Sequence, residues 1–274
     1  MARVTSTCVI VACAMPAGAA HAADASPWDE DARSGARLIA GNPDHGGTLR
    51  AGVEIRLAPG WKTYWRYPGD SGVPPRFDFS GSRNVKSVTV AWPAPHRAHD
   101  ESGTTIVYQD GVIFPLRVVA QDAEKPVELS LKLDYAVCHD ICIPKDAKAE
   151  LALERKASAL DVALAAAEAL VPKPAKLGDN APLTVRSVRR EGSGAHPRVV
   201  VEVAGPAPVD LFAEGPTPDW ALPVPEPVAG APAGLHRFAF LVDGVPPGAK
   251  ADGAVLTFTL TSGAGAIEVK APLD

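Results

Sequence analysis

The sequence predicts an all-β protein built as two β-sandwich domains joined by a short helix and a linker. Three observations point there. Gly (24) and Pro (27) together approach a fifth of the 274 residues and are scattered among short apolar runs, which favours many turns over long helices. Stretch after stretch alternates apolar and polar residues with period two, the pattern of a half-buried strand. One segment alone changes to a helical period.

Taken in order, residues 1–22 read as a secretory signal: Arg3, the apolar run "VTSTCVIVACAM", then small residues ending in an A-x-A cleavage site at Ala22. The competing reading makes Cys13 a lipidated N-terminus, for which the preceding apolar stretch is short. From Leu49, Ala51, Val53, Ile55 and Leu57 alternate with Arg50, Glu54 and Arg56. Further strands are expected over 85–91, 112–120, 127–137 and 149–153. The stretch 127–137 is the clearest, since Val127, Leu129, Leu131, Leu133 and Tyr135 alternate with Glu128, Ser130, Lys132 and Asp134. Residues 59–75 and 92–105 have the Pro and Gly content of long ordered loops.

The segment 158–171 is the helical one. It opens with Ser158 and Asp161 at capping-box spacing, repeats Leu160, Leu164, Ala167 and Val171, and stops at Pro172. "PKPAKLGDNAP" (172–182) then reads as a linker. Strands resume at 183–188, 199–203, 209–213, 235–242, 254–260 and 266–270. Six or seven short strands in about 90 residues suit an immunoglobulin-like sandwich. The expected division is signal 1–22, first domain 23–156, helix and linker 157–181 and second domain 182–274.

Charge and hydropathy exclude several classes of partner. The full sequence carries a net charge of −5, and removal of residues 1–22 makes it one unit more negative. Nothing in that balance attracts nucleic acid or an anionic membrane surface. No apolar run after the signal reaches the roughly 20 residues of a bilayer span. An exported, mildly acidic protein is expected, periplasmic in a Gram-negative cell.

The chemistry concentrates in "LKLDYAVCHDICIPKDAKAELAL" (131–153), which holds Cys138 and Cys142 with His139, Asp140 and Ile141 between them. If the flanking strands form a hairpin, the cysteines face each other at its tip, roughly 4.5–5.5 Å apart, within reach of a disulfide. As a staple, such a bond restrains the unfolded chain by only about 2 kcal/mol, against about 4 to 5 for a loop of a hundred residues. As a metal clamp, one C-x3-C lacks the second pair that zinc sites commonly use, although Cu(I) accepts two thiolates. As an exchanging dithiol, a disulfide at an exposed tip is accessible and labile. His139, if protonated, favours a neighbouring thiolate and Asp140 opposes it.

Further motifs bear on that choice. "GWKTYWRYPGDSGVPPRFDF", "WPAPHR", "VYQDGVIFPLRV" and the cysteine segment, in that order, resemble the N-terminal periplasmic domain of the DsbD-type thiol:disulfide interchange proteins. The similarity is greater still to the ScsB-like branch, associated with copper tolerance, and it spans about residues 28–155. The resemblance implies an immunoglobulin-like sandwich for the first domain. It implies that Cys138 and Cys142 are the redox pair, with Cys142 the nucleophile and Cys138 its resolving partner. Tyr64 matches an aromatic position beside that site. The segment matching the family's aromatic cap loop, His96 to Thr105, has no aromatic here and offers His99 and Asp100 as titrating neighbours of a thiol. The implied partners are periplasmic thioredoxin-fold proteins and a separate membrane-embedded thiol reductase, with no cofactor beyond the cysteines. The alternative is a non-catalytic module that binds copper(I) or a protein partner and keeps its disulfide for structure.

Overall fold

The computed structural model describes residues 23–44, 48–100, 103–192 and 197–274, the Asp100 side chain excepted. The expected signal segment, with Cys13, lies outside the described residues. In chain order the strands are β1 (Asp29–Glu30), β2 (Ser34–Ala40), β3 (Leu49–Leu57), β4 (Lys62–Gly69), β5 (Arg76–Asp78), β6 (Val85–Val90), β7 (His96–Asp100), β8 (Gly103–Gln109), β9 (Gly111–Ala120), β10 (Val127–Cys138) and β11 (Cys142–Leu153). Helix α1 (Asp161–Ala169) follows. Then come β12 (Lys173–Ala175), β13 (Thr184–Glu191), β14 (Arg198–Ala204), β15 (Val209–Glu214), β16 (Glu226–Pro227), β17 (His236–Leu241), β18 (Val255–Ser262) and β19 (Gly265–Pro272).

These strands form four sheets, and the protein is all-β, as the sequence predicts. One sheet has the order β1-β2-β3-β9-β6 and a second β11-β10-β4-β8-β7, with β5 added beside β10. Their inner faces share a core that includes Leu38, Val53, Trp65, Phe114, Leu131 and Val137. The other two sheets, β12-β19-β18-β15 and β13-β14-β17-β16, enclose a second core around Val201, Phe240, Phe258 and Leu260. Alternation explains why: on β10, Val127, Leu129, Leu131, Leu133 and Tyr135 are all buried, and the residues between them are less so.

Three local expectations differ from the structure. The stretch 59–75 contains β4, whose Thr63, Tyr64 and Trp65 are buried in succession. A strand covered on both faces shows no alternation, so its sequence does not announce it. The stretch 92–105 contains β7 and the start of β8, a hairpin at the sheet edge in which His99 pairs with Thr104. Within the expected linker, Lys173–Ala175 pair in parallel with Ile267–Val269 as an edge strand, where Pro174 is tolerated.

Helix α1 forms where expected, but not with the expected cap. Residue Leu160 is the N-cap and no side chain caps it. The Asp161 carboxylate instead accepts from the Asn42 amide and, at 2.6 Å, from Arg50, whose other arm reaches Glu168 at 2.6 Å. The Ser158 hydroxyl donates to the Ala40 carbonyl. Tertiary partners take the Asp161 carboxylate, while the Ser158 hydroxyl also accepts from the Leu160 amide at 3.1 Å, and the helix is thereby fastened to β2 and β3.

Contacts also join the two sandwiches. Phe212, on β15, is fully buried within the first core, its ring 5.8 Å from that of Trp65. Arg66 donates to Glu214 at 2.7 Å and to Glu268 at 2.6 Å. Arg97 holds Asp210 at 2.7 Å and the Pro225 carbonyl at 2.7 Å. Strand β4 therefore carries part of the interface and, as follows, part of the disulfide's surroundings.

Candidate active site

The β10–β11 hairpin runs in register for its whole length, from Val127 opposite Leu153 to Cys138 opposite Cys142. That register places the two cysteines across from each other, with Cα atoms 4.1 Å apart, and they are joined in a disulfide. Three residues turn the chain, and the His139 amide donates to the Ile141 carbonyl.

The two sulfurs have unequal surroundings. Cys138 is 1% exposed and Cys142 lies open to solvent. The cause is sheet position. Cys138 ends an interior strand and pairs with Lys62 of β4, whereas Cys142 begins an edge strand. Beside it Ile141 projects into solvent, 66% exposed.

Tyr64 completes the site. It points away from the main core into a small cluster with Val107, Ala136 and Cys138, and is itself 1% exposed. Its hydroxyl oxygen is 2.8 Å from Sγ of Cys138 and 3.2 Å from Sγ of Cys142. A disulfide sulfur carries no proton, so the tyrosine O–H donates. Thr63, on the opposite face, donates its hydroxyl to the Ala136 carbonyl at 2.9 Å and locks β4 to β10.

The turn itself rests on aromatic surface. The His139 ring lies 5.9 Å from that of Trp61, and its Nδ1 is 3.0 Å from Asp140. On the flank, Lys145 reaches Asp31 at 3.0 Å and ties β11 to the β1–β2 turn. Hydrogen bonds from the Arg33 amide, from Lys145 and from the Ser34 amide hold the Asp31 carboxyl well below the usual carboxylate range. The same contact raises Lys145 above its ordinary value.

The residues expected around the thiols are thus divided. Tyr64 meets both sulfurs. His139 lies in the turn between them. His99 turns its Nδ1 to the Thr104 hydroxyl at 3.0 Å, a bond within the β7–β8 hairpin and not to a sulfur. Asp100 pairs with Gly103 at the end of that hairpin, and its side chain is outside the described residues. Sequence reasoning missed Trp61, Asp70 and Gly72. Asp70 and Gly72 lie in the loop after β4, where "PGDSG" was the only signal. Among the described residues no group of three or more His, Cys, Asp and Glu side chains is arranged to hold a metal ion. No helix among them is long and apolar enough to cross a membrane.

Comparison with known proteins agrees with this geometry. Residues 36–154 match the family model described as thiol:disulfide interchange protein DsbD, N-terminal. Among solved structures, the N-terminal periplasmic domain of ScsB from Proteus mirabilis is similar in fold, with a TM-score of 0.70 at 20% identity, over 92% of this chain and 98% of that one. No curated protein matches the sequence. The matched stretch, which includes the Cys138–Cys142 disulfide, is thus similar to the N-terminal domain of the thiol:disulfide interchange protein DsbD.

Proposed function

We propose that the protein relays electrons by thiol:disulfide exchange through Cys138 and Cys142, in the periplasm, between a membrane-embedded thiol reductase and thioredoxin-fold clients. The observation that carries this reading is the asymmetry of the pair: one sulfur exposed at a hairpin tip, the other buried, with a phenol donating to both. The family match over residues 36–154 supports the chemistry, and the ScsB neighbour's description as a periplasmic domain supports the compartment.

The steps follow from access. A thiolate of the reductase attacks Cys142 Sγ. A new S–S bond forms to the attacker, the Cys138–Cys142 bond breaks, and Cys138 leaves as a thiolate with the Tyr64 O–H directed at it. The reductase's second thiolate then attacks its own sulfur in the mixed disulfide. It closes the reductase's disulfide and frees the Cys142 thiolate, so two electrons have moved. Toward a client, Cys142 attacks the client's disulfide, and Cys138 then attacks Cys142 Sγ, restoring the original bond and releasing a reduced client. The sulfurs carry both electrons, and no step calls on another redox group.

His139 lies in the turn between the two cysteines, its ring against Trp61. His99, whose Nδ1 meets the Thr104 hydroxyl, acts through the β7–β8 hairpin. The deciding experiment measures the pair's reduction potential and screens Cys138→Ser for mixed disulfides with thioredoxin-fold proteins of the same compartment. A trapped partner is expected. A potential below about −300 mV with nothing trapped would mark a structural bond and overturn the reading. Stoichiometric Cu(I) uptake that disappears in the double cysteine variant would replace it with a copper-binding module.

A further inference from the structure

Tyr64 lies on the outward face of its sheet, yet it is buried. The cover is the loop that follows β4. Gly72 has φ +126°, a conformation that side-chain-bearing residues rarely adopt. A Cβ on it would lie 2.2, 2.4 and 2.7 Å from Cε1, Cδ1 and Cζ of the Tyr64 ring. The bare backbone therefore presses on the edge of the ring that ends at the hydroxyl-bearing carbon. A phenol's O–H points where its ring points, and this ring is held between the loop and the sheet.

The loop is anchored in turn. The Asp70 amide donates to the Thr104 carbonyl at 2.9 Å, and the Thr104 amide donates back to the Asp70 carboxylate at 2.8 Å. Opposite it, Gly103, at φ +113°, leaves room for that carboxylate, since a Cβ there would be 2.7 Å from Oδ2. One contiguous path thus leads from the end of the β7–β8 hairpin through Asp70 and Gly72 to Tyr64 and Cys138.

We propose that Asp70 and Gly72 are positioning residues of the redox pair: Asp70 clasps the loop to β8, and Gly72 seats the Tyr64 ring so that its hydroxyl meets both sulfurs. This rests on the exchange reading and names the element that tunes it. Shielding of the disulfide's tyrosine falls to this loop.

The test uses the full chain with Tyr64→Phe, Gly72→Ala, Asp70→Ala and the double variant Gly72→Ala/Tyr64→Phe. Each is measured for melting temperature, for reduction potential against glutathione and for the pH profile of thiol alkylation in the reduced protein. A hydrogen bond to a thiolate is worth about one pH unit in the alkylation midpoint, so Tyr64→Phe raises the midpoint by about that much. Gly72→Ala is expected to shift midpoint and potential in the same direction, and to add little once Tyr64 is Phe. A folded Gly72→Ala with wild-type midpoint and potential overturns the proposal, and so does a shift that adds in full to that of Tyr64→Phe. If Gly72→Ala does not fold, Asp70→Ala decides, its side chain being exposed: a shift toward the Tyr64→Phe values supports the proposal, and none overturns it. These readouts use small thiols only. Failure to trap a thioredoxin-fold partner would sink the exchange reading without touching them.

Discussion

The Tyr64 hydroxyl lies 2.8 Å from Sγ of Cys138, the buried sulfur, and 3.2 Å from Sγ of Cys142, so a single proton donor serves both ends of the disulfide. A donor that meets a neutral sulfur weakly meets a thiolate strongly. Replacing Tyr64 with Phe keeps the ring and removes the donor. Exchange with a small dithiol should slow roughly tenfold, the rate equivalent of about 1.4 kcal/mol lost at the leaving thiolate. Stopped-flow reduction at fixed pH measures it, and an unchanged rate would remove Tyr64 from the chemistry.

The two cysteines should not be interchangeable. With Cys138 changed to Ser, the exposed Cys142 remains and should form mixed disulfides readily. With Cys142 changed to Ser, the remaining thiol is 1% exposed and should form few. Gel-shift trapping with an excess of an oxidised thioredoxin-fold protein compares them. Equal yields would refute the assignment of Cys142 as the attacking sulfur.

Phe212 belongs by sequence to the second sandwich and by contact to the first core, against Trp65. Its change to Ala should cost about 3 to 5 kcal/mol, the usual loss for a fully buried Phe. Urea titration followed by circular dichroism reads the cost. A loss below about 1 kcal/mol would show that the two sandwiches do not depend on this contact, and would favour two independently folding domains divided near residues 157–181.

Asp31 and Lys145 give the hairpin's flank a pH dependence of definite sign. The folded-state pKa of Asp31 is depressed below its unfolded value. Its contribution is therefore complete above about pH 4, the unfolded carboxylate value, and is lost as pH falls through the folded one. Asp31→Asn should lower the melting temperature at neutral pH, and the gap to wild type should narrow steadily below pH 4. A gap that is constant down to pH 2 would mean the carboxylate's charge is not what holds Lys145.

Much of the fold is legible in the order of the amino acids. The alternation over 127–137 is a local property, and it specifies a strand with one buried face. Its partner is legible only over 149–153; the strand extends back to Cys142 and so completes the hairpin that the cysteine spacing allows. Strand β4 is not legible, because Thr63, Tyr64 and Trp65 are buried in succession and the apolar period vanishes. The short β12 is hidden for a different reason: its partner, β19, lies almost a hundred residues away, and three residues with a proline carry no local sign of it. The capping box at Ser158 and Asp161 is a sound local inference that Arg50, Asn42 and Ala40 override.

The sequence by itself determined the all-β class, the hairpin and the facing cysteines, since each depends on neighbours along the chain and on a register that a short turn sets. Which sulfur meets water, and which phenol meets the sulfurs, was decided only by the tertiary structure. Burial is summed over strands distant in sequence: Tyr64 of β4 and Val107 of β8 close over Cys138, while the edge position of β11 leaves Cys142 open.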